Sequence, residues 1–421
     1  MKYLLLLLAF SLNITLSVIA QVKGCPDPAA NNYNSTATEN DGSCTYNNIT
    51  LTPTLKFNLN TALSESSGLL NWKNLVWTHN DSGNGPLIYG MNATSGANQR
   101  TVTLSNATNI DWEDIAQDNS FIYIGDFGNN ANGNRTDLKI YRAAKSAITA
   151  GDTVTASVIN FSYNDQTDFS AKGANNTNFD CEALIAYGDS LFLFIKDWVD
   201  NKTRLYKLPK KPGTYSATKI GELNVTGLIT GAEVLLTEKV IVLSGYNTLL
   251  SPFIYLLYDF TGNNFFDANK RKVALNATFT QMEGICSKSS TNFLVSNESY
   301  IKFPINTPAK LSQLNLASLL NPYYNSGAFS MKNMMVKNNI TASINAFVTV
   351  QSLGNHLYVK KSKPAVKAAS INIYDINGIL KLQQYFTNGE TAINIHQLTQ
   401  GFYIAKVSNE DQQTSIKFFK E

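Results

Sequence analysis

The 421-residue chain carries 34 lysines and arginines against 31 aspartates and glutamates, and 43% of its residues are hydrophobic. That apolar fraction supports a buried core and excludes a disordered chain. A net charge of +3 spread along the sequence, without a dense basic block, argues against nucleic-acid binding.

In chain order, residues 1–20 read as a secretory signal: Lys2, an apolar run from Tyr3 to Phe10, and a cleavage site at Val18, Ile19 and Ala20. No later stretch approaches the roughly 18 consecutive apolar residues of a membrane-spanning helix, so export without a transmembrane segment is expected. Residues 22–48 contain GCPDPAANNYNSTATENDGSC, a run of turn formers too short to bury a core. Cys25 and Cys44 at its ends therefore predict a disulfide loop. Asp27, Asn32, Asn34, Glu39 and Asp41 within it offer oxygen to calcium, although turn formation explains them more simply. Cys181 and Cys286 lie far along the chain, and the sequence leaves open whether they pair.

Residues 50–320 contain many short runs of Ile, Val, Leu, Phe and Tyr separated by Asn, Gly, Asp and Ser, an all-β pattern. Five segments in this body align on one glutamate each: Glu65, Glu113, Glu182, Glu233 and Glu283, spaced 48, 69, 51 and 50 residues apart. This period fits one four-stranded propeller blade per repeat. In the fourth repeat EVLLT, KVIVLSG, FIYLLYDF and KRKVALN supply four strands. The longer second interval holds either an insertion or a further blade, so the expectation is a five- or six-bladed β-propeller.

Antiparallel return of each second strand would bring a polar group back beside each glutamate. These groups include Asp81, Asp126, Lys196, Tyr246 and Asn297 with Glu298. One end of the propeller is thus expected to present a ligand-binding ring of Glu65, Asp81, Glu182, Lys196, Glu233, Tyr246 and Glu283. Two such carboxylates ~6 Å apart at an effective dielectric of ~20 repel by roughly 3 kcal/mol, so a cation, basic side chains or backbone amides must offset them. The densest oxygen cluster, Asp111, Glu113, Asp114, Asp126 and Asn129, is the candidate calcium site. The simpler alternative makes each repeated glutamate a structural cap of an inner strand. Only His79 among the three histidines lies in the body, which excludes a multi-histidine zinc site. Catalytic candidates reduce to Glu113, His79 and Lys196.

Residues 321–342 have turn formers and weak periodicity and read as a linker. Residues 343–421 alternate apolar and polar positions, turn at Asn377-Gly378, and predict a small antiparallel β-sandwich.

The segments DWEDIA, GDFGNN, DCEAL with Lys196, and MEGI resemble a family of exported bacterial β-propellers without a settled activity; Met282 stands where that family has glycine. The resemblance covers about 65–300, and more distantly the body looks like calcium-dependent lactonase and phytase-like propellers. In the tail, IYDINGIL, INIHQLTQGFYIAKV and IKFFKE are similar to the C-terminal sorting domain of type IX secretion cargo. That resemblance implies the type IX machinery as partner and a secreted or outer-surface location in a Gram-negative bacterium. Two functions compete: a surface propeller binding an unknown extracellular ligand on its acidic face, with calcium as the possible cofactor, and a calcium-dependent hydrolase of a lactone, ester or phosphate.

Overall fold

A computed structural model describes residues 22–326 and, beyond them, 348–353, 356–361, 369–375, 378–386, 390–399, 401–408 and 413–420. The expected signal at 1–20 and the linker from 327 onward lie outside the described residues. Two compact units divide near residue 329.

Five four-stranded blades make up the first unit. Blade 1 comprises Ser66–Trp72, Leu75–Asn80, Leu87–Asn92 and Asn98–Leu104. Blade 2 comprises Trp112–Gln117, Phe121–Asp126, Lys139–Ala144 and Ser157–Tyr163. Blade 3 runs Cys181–Tyr187, Ser190–Ile195, Lys202–Pro209 and Gly213–Asn224. Blade 4 runs Leu228–Leu235, Val240–Tyr246, Pro252–Tyr258 and Asn269–Leu275. Blade 5 contributes Met282–Ser287, Asn292–Asn297 and Lys310–Asn315. Its fourth, outer strand is Thr54–Asn58, which pairs with Lys310–Asn315 and ties the start of the body to its end.

Each innermost strand contacts the next, and that of blade 5 returns to that of blade 1, so the ring closes at five. The long second interval is therefore an insertion: helix Lys145–Ala150 precedes the outer strand of blade 2, and an extended connection follows it.

The composition of the strands follows from this arrangement. A blade is covered on both faces by its neighbours, so its strands read as nearly continuous apolar runs rather than alternating ones. Five apolar clusters fill the five gaps. Trp77, Ile88, Ile122 and Ile124 lie between blades 1 and 2, and Tyr123, Phe161, Leu193 and Tyr206 between blades 2 and 3. Phe192, Phe194, Ile241 and Leu257 follow, then Val242, Leu256, Ile285 and Phe293, and finally Leu69, Val76, Leu294 and Leu311 between blades 5 and 1.

Cys25 and Cys44 form the disulfide, and Cys181 and Cys286 are separate, buried thiols. The loop is anchored on blade 4, where Asp27 is wholly buried and accepts hydrogen bonds from Tyr46 Oη (2.7 Å) and Tyr258 Oη (2.5 Å). Asn34 and Asp41 accept from the amides of Thr36 and Ser43 two residues on, which is turn chemistry, and Asn32 accepts from the Thr45 amide across the loop. Helix Ala317–Tyr324 crosses the boundary expected at 320 and buries Leu319, Leu320 and Tyr323 against blades 4 and 5, so the propeller unit reaches further than the sequence indicated.

The second unit is a β-sandwich of a three-stranded sheet (Val348–Leu353, His356–Lys361, Glu390–Asn394) and a four-stranded sheet in the order Leu380–Phe386, Ala369–Asp375, Gly401–Ser408, Gln413–Lys420. Leu357, Ile371, Ile373, Ile393, Ala405 and Val407 form its core. Of the expected Asn-Gly turn, Asn377 lies outside the described residues, and Gly378 has the positive φ of +80° that such a turn needs.

Candidate functional site

Every innermost strand slips register against its second strand near the same end of the propeller. The slips fall at Ser67-Gly68, Glu113-Asp114, Glu182, Thr230 and Glu283-Gly284. A bulge leaves a residue out of the ladder and re-aims its side chain. Glu113, Glu182 and Glu283 consequently enter one cavity of about 150 Å³, lined also by Asp81, Lys196, Trp198, Tyr246, Gln281 and Glu298.

The equivalent places in blades 1 and 4 are held by Ser67 and Thr230, whose hydroxyls donate to the backbone oxygens of Glu113 and Met282. Glu65 is exposed and accepts from Asn84 Nδ2 (2.7 Å). Glu233 departs from the expected ring. It lies at the other end of the channel, lining a separate cavity of about 280 Å³ with Gln117, Lys145 and Leu235, and accepts from the Ser287 amide.

Two carboxylate triplets share Glu113. Asp81, Asp111 and Glu113 present oxygens within 4.8 Å of one another, and so do Glu113, Asp180 and Glu182. Gly128 makes the first approach possible, because a Cβ there would fall 2.1 Å from Glu113 Oε1 and 2.5 Å from Asp111 Oδ2. The rest of the expected calcium set is used elsewhere. Asp114 is fully buried between strands and accepts from the Ile115 and Leu184 amides, both at 2.8 Å. Asp126 pairs with Arg135 Nη2 at 2.9 Å. Asn129 donates to the Phe179 carbonyl and accepts from the Arg135 amide. Asp180 is the triplet member the sequence reading passed over, although its two oxygens already accept from the Asn129 amide and Trp198 Nε1, and the signal was present: D-x-E occurs at Asp111 to Glu113 and again at Asp180 to Glu182.

Electrostatics in the cavity are one-sided. Burial, with neighbouring carboxylates adding to it, pushes Asp81 up to about 6 and Asp111 up to about 7. Burial likewise raises Glu283 to about 7 and takes Glu113 and Glu182 well above the usual carboxylate range. Lys196 is the single ammonium on the wall among the described residues. Burial opposes its charge, but Glu182, Tyr246, Glu283 and Asp180 together hold it protonated. Its Nζ donates to Glu182 Oε1 at 2.9 Å and lies 5.0 Å from the Trp198 ring centroid and 5.3 Å from that of Tyr246. His79 lines neither cavity. Its ring is buried edge-on to Trp112 at 5.7 Å, and burial depresses it to about 4, leaving it neutral.

Residues 353–421 match a family described as the Secretion system C-terminal sorting domain. The tail is a type IX sorting domain. It routes the protein through the type IX secretion machinery to the outer surface or the extracellular space. The match begins within the sandwich, whose first described strand starts at Val348. Among curated proteins none matches the chain. Similar solved structures include PorZ, a surface component of the type IX secretion system of Porphyromonas gingivalis, at 11% identity and TM-score 0.30, covering 87% of this chain and 46% of that one. Another is an exo-β-1,3-galactanase from Phanerochaete chrysosporium, at 10% identity and TM-score 0.41, covering 87% of this chain and 100% of that one. A DUF3244 family protein with an immunoglobulin-like β-sandwich from Bacteroides vulgatus, at 21% identity and TM-score 0.17, covers 18% of this chain and 86% of its own. At such scores these likenesses carry no argument about what the propeller binds.

Proposed function

We propose that this type IX-secreted propeller binds an extracellular ligand over its acidic mouth and holds calcium at Glu113. The carrying observation is that Glu113 belongs to both carboxylate triplets. Lys196, the one cation lining the cavity among the described residues, is already engaged by Glu182. Calcium takes six to eight hard oxygen ligands in flexible geometry, which suits a donor set of Asp81, Asp111, Glu113, Asp180 and Glu182. Ionising these groups together in a buried site costs energy that a divalent cation offsets.

Calorimetric titration and elemental analysis of the full mature chain, first stripped with chelator, test this reading. Calcium binding is expected, with a higher Tm as a ligand specific to the folded state requires. Glu113→Gln and Gly128→Ala should each weaken calcium affinity at least ~10-fold, a loss of about 1.4 kcal/mol. No heat, no retained metal and an unchanged Tm would sink it.

Calcium-assisted hydrolysis of a lactone, ester or phosphate is the second reading. Lys196 favours it, since a fixed ammonium on the cavity wall could steady an anionic group while a carboxylate acts as general base. Turnover of such substrates by the calcium-loaded protein, lost in Lys196→Met, would select hydrolysis over binding.

A further inference from the structure

The cavity has two unlike sides. Five lining carboxylates (Asp81, Glu113, Glu182, Glu283, Glu298) stand against one lysine, a formal excess of four negative charges. A divalent cation at Glu113 halves that excess and leaves Glu283 and Glu298, on blade 5, only the field of Lys196, whose hydrogen bond goes to Glu182. Glu283 lines the cavity, is 3% exposed, and its buried Oε2 has no hydrogen-bond partner among the described residues. A buried, unpartnered carboxylate oxygen is costly unless something outside the chain meets it.

The segments that adjoin these two glutamates in the chain carry exposed apolar side chains. Phe279, four residues before Glu283, is 46% exposed, and Leu249 on the adjoining loop of blade 4 is 75% exposed. These two loops are joined by the Thr280 amide donating to the Leu250 carbonyl at 2.9 Å. Directly after Glu298 comes the hairpin of Tyr300–Lys302 and Ile305–Thr307, on which Ile301 is 73% and Phe303 99% exposed. Its base is tied to blade 1 by the Ser299 amide donating to the Ser64 carbonyl. Lys302 is exposed and does not line the cavity. Exposed large apolar groups on the loop and hairpin that adjoin Glu283 and Glu298 in the chain, and on the blade 4 loop joined to them, offer contacts to an amphipathic partner. A hydrated ion leaves such contacts unused, and the acidic floor repels an anionic lipid surface.

We propose that the ligand of this face is a polypeptide that inserts a lysine or arginine side chain between Glu283 and Glu298 and rests its apolar neighbours on Phe279, Leu249 and Phe303. The proposal rests on the acidic mouth being the ligand site and adds the chemical class of the ligand. Insertion satisfies the unpartnered Glu283 oxygen with a charge-assisted hydrogen bond. The apolar contacts exclude water around it, as contacts surrounding a buried anchor do at other protein interfaces.

Fluorescence anisotropy on the full mature chain tests this, with a labelled short peptide carrying one lysine flanked by leucine and phenylalanine, and the same peptide acetylated on that lysine. The lysine peptide should bind, and acetylation should weaken binding at least ~10-fold, as should Glu283→Gln combined with Glu298→Gln. Phe303→Ser, at a site too exposed to disturb folding, should weaken it several-fold. No binding of the lysine peptide, equal affinity for the acetylated one, or indifference to the substitutions would overturn the proposal. Repeating the measurement in chelator and with Glu113→Gln separates the two readings. Peptide binding without calcium binding removes the metal and keeps the peptide, whereas calcium binding without lysine discrimination does the reverse.

Discussion

Glu113 and Asp111 come together only because residue 128 is glycine, and what they meet there is other carboxylates. The consequence is readable as a pH dependence. Burial holds Asp81 at about 6, and Asp111 and Glu283 at about 7, all above the values near 4 that such groups have in an unfolded chain. A raised folded pKa means that the folded state binds the proton more tightly. The stabilising contribution is therefore complete below about pH 4 and is lost as the pH rises through 6 to 7. His79, depressed to about 4, works in the opposite direction below its ordinary value near 6.5, but one imidazole offsets only part of three carboxyls. Without metal, the Tm should fall between pH 5 and pH 8. Calcium should raise it more at pH 8 than at pH 5, because the cation favours the ionised forms. Melting curves at the two values, with calcium and with chelator, decide it. A metal-free Tm that rises with pH would contradict the electrostatic account of the cavity.

At the scale of the strand, the bulge is the device that makes a site out of a scaffold. It turns one side chain per inner strand inward, and the residue after it is Gly68, Asp114, Ala183, Gly231 or Gly284. At the three glycines the neighbouring strand comes too close for a side chain. A Cβ on Gly231 would fall 2.2 Å from the Glu283 carbonyl oxygen, and one on Gly284 would fall 2.6 Å from Leu69 Cγ. Gly231→Ala should therefore cost about 1–3 kcal/mol as overpacking. Gly151→Ala, with nothing within 4 Å of its Cβ, should leave stability unchanged. Chemical denaturation of both variants measures this, and equal midpoints would refute the close-approach argument.

The same strands show what the sequence disclosed and what it withheld. Fold class was legible, and the blade number only as five or six, because covering a strand on both faces demands runs such as LFLFI and VIVL repeated at one spacing, and one longer interval left the count open. The register of the inward position was not legible. Ser67 and Thr230 hold it in blades 1 and 4, so aligning every repeat on a glutamate selected Glu65, two residues early, and Glu233, three residues late. An odd offset along a strand reverses the face, and with the length of the shift it carries Glu233 to the opposite cavity. Nor could density of acids along DWEDIAQDNSFIYIGDFGNN reveal that Asp114 and Asp126 are held by amides and by Arg135. That distinction depends on Leu184, from the next blade, and on the path of the loop after Gly128.

For the whole molecule, the closing contact is the one between chain ends of the propeller. The four strands of each other blade run in chain order, with only the two-residue Thr153–Val154 leaving blade 2 to pair on the edge of blade 1, but blade 5 is completed by Thr54–Asn58, more than 200 residues upstream of its other strands. Ring closure of this kind removes a free sheet edge and makes the five interblade cores depend on one another. The disulfide loop reinforces it, since Asp27 and Asn40 fasten the preceding segment to Tyr258, Asp259 and Asn269 of blade 4 and its border. A chain beginning at Thr61 loses both. Its last blade keeps three strands and uncovers Leu311, now wholly buried, along with the core between blades 5 and 1. Cys44→Ser should be milder, on the order of the 2–4 kcal/mol that a disulfide contributes, because the Asp27 hydrogen bonds persist. The full mature propeller should melt in one cooperative step, the cysteine variant in one step at lower temperature, and the truncated chain with a broad, weak transition. Near-ultraviolet circular dichroism during thermal melting distinguishes the three. A truncated chain that melts as sharply and as high as the intact one would show that closure of the ring by Thr54–Asn58 does not hold the blades together.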